Sequence, residues 1–226
     1  MHSGADGGLR VLADAAYNHH RNEYLIAYDF VGGSVLPHSP QIRGKVAAAS
    51  LAGLSTAPEV ELCCDVPSQW GTSVAAGPDE YLVTFVSGVF NSPIYGRRIS
   101  HTGQPLGPDT GFPLTQNMPL PFNGGDVAFA GDSYLAAWYA SPASDYNVYG
   151  CQVMAGHDWP AGDDFIIEDE AQWQRWPKMA CTPQGNCLVV YEDYSPDGIT
   201  PRIRGHFVSP CPRTFLPLVM RNTHSP

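Results

Sequence analysis

Tyr81-Leu-Val-Thr-Phe85, followed shortly by Ile94-Tyr-Gly96, is the stretch that decides the fold, because versions of it recur along the chain. The first segment has three further copies: Tyr24-Leu-Ile-Ala-Tyr28, Tyr134-Leu-Ala-Ala-Trp138 and Cys187-Leu-Val-Val-Tyr191. The second segment recurs as Ile42-Arg-Gly44, Val148-Tyr-Gly150 and Ile203-Arg-Gly205. Self-similarity at a regular spacing, here roughly fifty residues, is the signature of a repeat architecture. The sequence therefore predicts four structural repeats.

Each repeat reads as a four-stranded antiparallel meander. A strand and a turn precede each copy of the first segment, at Asp14-Ala-Ala-Tyr17, Val74-Ala-Ala-Gly77, Val127-Ala-Phe-Ala130 and Met179-Ala-Cys-Thr182. A weaker strand follows the second segment, at Val60-Glu-Leu62, Phe112-Pro-Leu114 and Phe165-Ile-Ile167. Short strands separated by Gly- and Pro-bearing turns are typical of hairpins.

The strand over residues 81–85 has apolar side chains on both faces. Tyr81, Val83 and Phe85 point to one side, and Leu82 and Thr84 point to the other. A sheet that faces water on one side would show a polar face, so both sides must be covered. Small sheets packed between two neighbours around a common axis meet this demand. We predict an all-β fold, a β-propeller-like array of four four-stranded antiparallel blades.

The glycine that ends each copy of the second segment is expected to be structural. Without a Cβ, it lets an aromatic ring from the preceding strand lie directly over the backbone.

The predicted domain covers residues 1–210, with repeats over 9–62, 70–115, 124–167 and 176–208, and residues 211–226 form a C-terminal tail. The last repeat lacks an in-line fourth strand. The tail is apolar enough to supply one, through Phe215, Leu216, Leu218, Val219 and Met220. Three interpretations remain. The tail completes the last blade, the segment Leu9-Arg-Val11 completes it, or a terminal strand adds to a neighbouring molecule.

The repeats resemble those of secreted bacterial proteins whose blades read Tyr-Leu-Val-Val-Trp, then Ile-Tyr-Gly-Gln-Arg-Val-Ser, then Asp-Gly-x-Pro-Leu-Gly. The most similar copy here continues from residues 81–85 through Ile94-Tyr-Gly-Arg-Arg-Ile-Ser100 to His101-Thr-Gly-Gln-Pro-Leu-Gly107. The resemblance extends over nearly the whole chain. It implies a β-propeller and says little about activity, because such repeats occur in scaffolds, adhesion proteins and enzymes alike.

Composition narrows the partners and the location. The 226 residues carry 22 acidic against 12 basic side chains, a formal net charge of −10, which would repel nucleic acid. No run approaches the roughly 20 apolar residues that span a bilayer. Six cysteines in a chain rich in proline favour an extracellular or cell-surface location.

The cysteines predict one disulfide and leave others open. Cys181 and Cys187 flank a predicted hairpin turn, so they would face each other across adjacent strands. Cys211 would tie the tail to Cys63 or Cys64, and Cys151 has no assigned partner. Zinc is the rival interpretation, but the cysteine and histidine spacings of zinc sites do not occur.

Tryptophans and acids gather in the third repeat and just after it. Trp159, Trp173 and Trp176 are the candidate ligand face, because a ring can stack on a sugar while nearby carboxylates accept its hydroxyls. Packing between blades is the alternative for these rings. The acids would form a solvated loop, a calcium site or a catalytic pair; they are Asp158, Asp163, Asp164, Glu168, Asp169 and Glu170.

No nucleophile elbow, phosphate loop or dinucleotide fingerprint occurs, so the sequence predicts no catalytic residue, metal or cofactor. The predicted function is a non-catalytic extracellular scaffold that assembles with copies of itself into fibres or surface layers. One alternative is a carbohydrate-binding or adhesion module with glycans as partners. The other is a glycoside hydrolase or lyase, because propeller enzymes gather acids from several blades without a linear motif.

Overall fold

A computed structural model describes residues 9–32, 40–50, 57–63, 69–88, 92–116, 125–141, 145–169, 173–194 and 200–209. These residues form β-strands and no helix, arranged as four small antiparallel sheets. The predicted fold class, an all-β propeller of four blades, is confirmed. The strands of the first two blades are β1 (Leu9–Asn18), β2 (Glu23–Val31), β3 (Gln41–Ala48), β4 (Val60–Cys63), β5 (Gln69–Ala76), β6 (Glu80–Ser87), β7 (Ile94–Ser100), β8 (Pro105–Leu106) and β9 (Phe112–Pro113).

The other two blades follow the same meander. Blade 3 consists of β10 (Asp126–Ala130), β11 (Ser133–Ala140), β12 (Asn147–Met154) and β13 (Phe165–Glu168), and the described part of blade 4 of β14 (Gln174–Cys181), β15 (Cys187–Tyr194) and β16 (Pro201–Val208). The first strands of consecutive blades pack against each other, β1 on β5, β5 on β10 and β10 on β14. These first strands therefore surround the propeller axis.

Three apolar cores join consecutive blades. Leu25 and Ala27 of blade 1 pack with Tyr81 and Phe85 of blade 2. The equivalent face of blade 2 packs on Trp138 of blade 3. The next junction brings Leu135 and Ala137 together with Val189 and Tyr191. Both faces of the repeated strand are thus covered in blades 2 and 3. Among the described residues, no such core joins blade 4 to blade 1.

The repeated glycine is structural, but its neighbour differs from the predicted one. A Cβ on Gly96 would lie 2.8 Å from Phe112 Cζ, and one on Gly44 would lie 2.7 Å from Leu62 Cδ1. Phe112 and Leu62 come from the outermost part of the same blade, not from the preceding strand. In blades 1, 2 and 3 the glycine therefore lets the outer strand fold over the third strand, whereas the neighbours of Gly205 in blade 4 are Leu188 and Val190 of the preceding strand.

Strand number departs from four in two blades. In blade 2, both β8 and β9 pair with β7, because Gly107 and Gly111 adopt positive φ and interrupt the outer strand. In blade 4 the described residues supply three strands. The tail, with Phe215 to Met220, lies outside the described residues.

The propeller has two distinct ends. The turns between the first and second strands and the connections after the third strands lie at one end, called the turn end here. The starts of the first strands and the connections between the second and third strands lie at the other, called the loop end here. This division follows from the antiparallel meander and decides which side chains meet.

Cys181 and Cys187 form the predicted disulfide, with their Cα atoms 4.0 Å apart in paired positions of β14 and β15. Cys63 is buried, with Sγ 3.6 Å from the Asp109 carbonyl oxygen. Cys64 and Cys211 lie outside the described residues, so a bond from the tail stays a prediction. Burial raises the pKa of the Cys151 thiol, which keeps that side chain neutral and unreactive.

Removing the disulfide is expected to destabilise the fold less than removing one that closes a long loop would, because the loop between Cys181 and Cys187 is short. The double replacement Cys181→Ala with Cys187→Ala should lower the free energy of unfolding by about 2 kcal/mol. Denaturant unfolding of the wild type with and without reductant measures the same quantity. A loss of the whole fold on reduction would contradict this expectation.

Candidate functional site

A chain of polar side chains crosses all four blades at the axis. Asp14, Ser73, Asp126 and Lys178 lie on the four first strands, where they pair with Ala27, Thr84, Ala137 and Val190. Those four partners in turn pair with the four repeated glycines. The polar residues therefore occupy one structural position, repeated in each blade.

Hydrogen bonds link these residues from blade to blade. Ser73 Oγ lies 2.9 Å from Asp14 Oδ2 and 3.1 Å from Asp126 Oδ1. The two carboxylate oxygens are therefore no further apart than the sum of these distances, about 6 Å. Val74 N donates to Asp14 Oδ2 at 2.9 Å, and Met179 N donates to Asp126 Oδ2 at 2.7 Å. Each aspartate is thus held by the first strand of the next blade.

The serine between the two carboxyl groups limits their protonation. A hydroxyl carries one hydrogen, so Ser73 can donate to only one of the two aspartates. The other contact is a hydrogen bond only when its carboxyl group is protonated and donates to the serine. Lys178 Nζ lies 3.1 Å from Asp126 Oδ1 and forms an ion pair with it. Ser73 and Lys178 thus place the two carboxyl groups in one row of polar contacts across the axis.

Irregular backbone marks this level of the axis. The pairing register shifts just before Asp14, Ser73 and Lys178, in β1, β5 and β14. Such bulges re-aim side chains and occur often beside active sites. The bulge of β5 also receives Asp29, which accepts hydrogen bonds from Gly71 N at 3.0 Å and from the Thr72 hydroxyl. Burial raises the pKa of Asp29 above its ordinary value, despite these bonds.

An aromatic platform lies beside this carboxyl pair at the loop end. We use this name for Tyr139, Tyr146, Trp173, Trp176 and Tyr194. The ring of Tyr139 is 5.2 Å from that of Trp176 and 5.7 Å from that of Tyr146, and Trp173 is 5.9 Å from Tyr146. Tyr139 follows Ala137, the pairing partner of Asp126, by two residues, and Trp176 precedes Lys178 by two. The platform therefore borders the axial carboxyl groups.

Trp176 keeps a strained backbone in this position. Its φ is +54°, in the left-handed region that bulky residues rarely adopt. It also precedes Pro177, whose ring restricts the residue before it to extended conformations. The indole nevertheless stays 48% exposed. Strain of this kind, about 1–3 kcal/mol, gathers at binding and catalytic sites.

The structure separates the three tryptophans that the sequence grouped. Trp173 and Trp176 belong to the platform, whereas Trp159 lies at the turn end, with its ring 5.1 Å from that of His157. All three are partly or largely exposed. Trp176 and Trp173 nevertheless contact Tyr139 and Tyr146 of blade 3, so their rings pack between blades 3 and 4 while staying open to solvent on one side.

The acids of the third repeat do not form one cluster. Asp158 bonds Arg98 at the turn end, at 3.1 Å. Asp164 Oδ2 accepts from Gln116 N at 2.8 Å, and Glu168 Oε2 accepts from the Tyr191 hydroxyl at 2.6 Å. Asp163 and Asp169 are exposed, and Glu170 lies outside the described residues. Within the described ranges, no three His, Cys, Asp or Glu side chains are grouped so that they could hold a metal ion.

Sequence reasoning missed the two axial aspartates. Asp14 stood in the quoted first-strand segment, and Asp126 directly precedes the matching segment of the third repeat. The signal was an acid at the same register of two repeats. It becomes visible only when the first strands are aligned through the glycines of their own blades.

Comparison with known proteins gives matches among solved structures alone. No family model and no curated protein matches the chain. An α-L-arabinofuranosidase from Lactobacillus brevis matches with a TM-score of 0.52 and 13% identity over 88% of this chain and 68% of the enzyme. An endo-arabinase from Bacteroides thetaiotaomicron VPI-5482 matches with a TM-score of 0.51 and 10% identity over 89% of this chain and 76% of the enzyme. A neuraminidase-like protein from A/bat/Guatemala/164/2009 matches with a TM-score of 0.52 and 8% identity over 86% of this chain and 54% of that protein.

These similarities establish the class of the protein, a β-propeller. They also contradict two predictions made from the sequence, the non-catalytic self-assembling scaffold and the absence of enzymatic activity, because the matched structures include glycoside hydrolases. The error has a physical origin. Carboxyl groups that come from different blades form no linear sequence motif. The lack of a catalytic motif is therefore no argument against catalysis. The described part of the chain contains no helix able to span a membrane.

Proposed function

We propose that this protein is a glycoside hydrolase whose reacting groups are Asp14 and Asp126. The observation that carries the proposal is their shared contact with Ser73 beside the exposed indoles of Trp173 and Trp176. Glycosidases use two carboxyl groups, one as a general acid and one as a nucleophile or base. A sugar ring stacks on aromatic rings through its apolar face. The site offers both kinds of group, with the carboxyl groups on β1 and β10 and the ring of Trp176 on β14.

The ion pair with Lys178 distinguishes the two carboxyl groups. Asp14 would act as the general acid and donate a proton to the glycosidic oxygen as the bond to the anomeric carbon breaks. Asp126, paired with Lys178, would attack that carbon or stabilise its positive charge. A separation of at most about 6 Å is close to the ~5–5.5 Å of retaining enzymes, so Asp126 is assigned the nucleophile's role. Asp29 is 1% exposed and serves as a positioning residue for the β5 bulge.

We also propose that the protein is extracellular. The Cys181–Cys187 disulfide favours an oxidising compartment, and polymeric glycans are substrates found outside the cell. The resemblance of the blades to secreted bacterial repeat proteins supports the same location.

The first test is release of reducing sugar from a panel of plant and bacterial polysaccharides and of aryl glycosides. We expect release from at least one of them by the wild type. Binding to a glycan without any release would instead support the carbohydrate-binding alternative. The absence of both release and binding across the whole panel would overturn the proposal.

Two replacements of Trp176 separate its ring from its backbone. Trp176→Ala and Trp176→Gly both remove the stacking surface, so each should weaken glycan binding about tenfold or more. Glycine adopts positive φ without cost, so the glycine variant should be about 1 kcal/mol more stable than the alanine variant. Calorimetric binding and denaturant unfolding measure the two effects. Equal stability of the variants would contradict the strained backbone, and unchanged binding would contradict the platform.

A further inference from the structure

We propose that the aromatic platform binds a glycan that carries a negative charge on its sugar ring, and that Arg175 holds this charge. This inference rests on the proposed function, because it names the substrate class of the same site. The charged group would be a uronate carboxylate or a sulfate ester.

Arg175 lies in the middle of the platform. Its guanidinium carbon is 4.2 Å from the centre of the Tyr146 ring, 4.5 Å from that of Trp173 and 5.7 Å from that of Tyr194. The aromatic rings attract the cation. The rings thus hold the guanidinium group in place, and its N–H donors can bind an acceptor. A planar fork of donors matches a carboxylate or sulfate with two parallel hydrogen bonds.

Among the described arginines, only Arg175 and Arg202 have no acidic partner. Six described arginines have a carboxylate oxygen within 3.5 Å: Arg10, Arg21, Arg43, Arg97, Arg98 and Arg204. Arg175 forms no ion pair with any residue that the structure describes, and its buried Nε has no hydrogen-bond partner there. Because Nε is buried, a ligand anion would bind the terminal NH2 groups of Arg175.

The acid opposite Arg175 on the neighbouring strand bonds a different side chain. Glu192 is the pairing partner of Arg175 across β14 and β15. Its Oε2 accepts a hydrogen bond from the Tyr194 hydroxyl at 3.1 Å. This bond raises the pKa of Tyr194, which keeps the hydroxyl protonated as a donor. The cation therefore stays available to a ligand.

Two cations lie on the strand that carries Trp176. The chain has a formal net charge of −10, and β14 contributes Arg175 and Lys178 beside the platform. Lys178 pairs with Asp126, so Arg175 is the cation left to attract an anionic glycan.

The test compares matched oligosaccharides on a protein that does not turn them over. The Asp126→Asn variant is titrated calorimetrically with an oligoglucuronate, with the same oligosaccharide after reduction of its carboxyl groups, and with the sulfate ester of the reduced form. We expect the acidic or the sulfated form to bind at least tenfold more tightly than the neutral form. The preferred form identifies the anion.

Replacing Arg175 then tests whether this side chain causes the preference for the charged oligosaccharide. Adding Arg175→Met should remove the preference by lowering affinity for the charged form about tenfold to hundredfold, while affinity for the neutral form changes less than threefold. Arg175→Lys should restore part of the preference. Equal binding of charged and neutral forms, or an equal loss of both in Arg175→Met, would overturn the inference.

The outcome is separable from that of the proposed function. Release of neutral sugars by the wild type, with no preference for charge, supports the hydrolase and overturns the role of Arg175. Arginine-dependent binding of the charged form, with no hydrolysis by the wild type, supports the role of Arg175 and overturns the hydrolase.

Discussion

Replacing Asp126 by Asn is expected to lower the rate of glycoside hydrolysis by about 1,000-fold or more, because the amide can neither attack the anomeric carbon nor balance its charge. The fold should survive. Asn keeps an oxygen for the Met179 N–H group, and the Lys178 ammonium released from the ion pair is exposed to water, so stability should change by about 1 kcal/mol or less.

Asp132→Asn is the matched control for this variant. Asp132 lies in the turn between β10 and β11, at the opposite end of the strand that begins with Asp126, and it is exposed. The Asp132→Asn variant should hydrolyse glycosides at the rate of the wild type. Full activity in Asp126→Asn, measured with the best substrate of the panel, would remove Asp126 from the reaction.

Glu59→Gln is expected to destabilise the protein by about 2 kcal/mol at neutral pH. The carboxylate of Glu59 ties blade 1 together: it lies 2.8 Å from Arg10, 3.0 Å from Arg43, and accepts a hydrogen bond from the Tyr28 hydroxyl. Burial acts to raise the pKa of Glu59, but these three partners outweigh it and lower the pKa from 4.5 to about 2. A shift of this size corresponds to roughly 3 kcal/mol, which solvent screening reduces.

The interactions of Glu59 should make the free energy of unfolding depend on pH. A carboxyl group with a lowered pKa in the folded state stabilises it fully above the unfolded value of 4.5. That stabilisation is lost as the pH falls from 4.5 through about 2. The difference between wild type and Glu59→Gln in denaturant unfolding should therefore shrink over this interval and vanish below it.

Glu61→Gln serves as the control, because Glu61 is an exposed residue of the neighbouring strand β4. It should change stability by about 0.5 kcal/mol or less at any pH. A pH-independent loss in Glu59→Gln would show that packing, and not the ion pairs, stabilises this part of blade 1.

The blades were predictable because their information is local. The apolar residues on both faces of 81–85 and the glycine at 96 specify a strand buried on both sides, and four copies specify an array. The Cys181–Cys187 bond was predictable for the same reason, since a short hairpin fixes which residues face each other.

The site was not predictable because its parts come from different blades. Asp14 and Asp126 meet only through Ser73, and the distance between them depends on how blades 1, 2 and 3 pack. The left-handed backbone of Trp176 contradicts the preference of a residue before proline, so no local rule places its ring. The proximity of Trp159 and Trp173 in sequence was misleading, because β13 carries the chain from the turn end to the loop end between them.

A crystal structure of the Asp126→Asn variant with an oligosaccharide substrate tests the central claim most directly. We expect a sugar ring stacked on Trp176 or Trp173, with the scissile linkage between residues 14 and 126. A sugar bound instead at the turn end, in the cleft of about 240 Å³ lined by Arg21, Glu23 and His101, would contradict the assignment of the site.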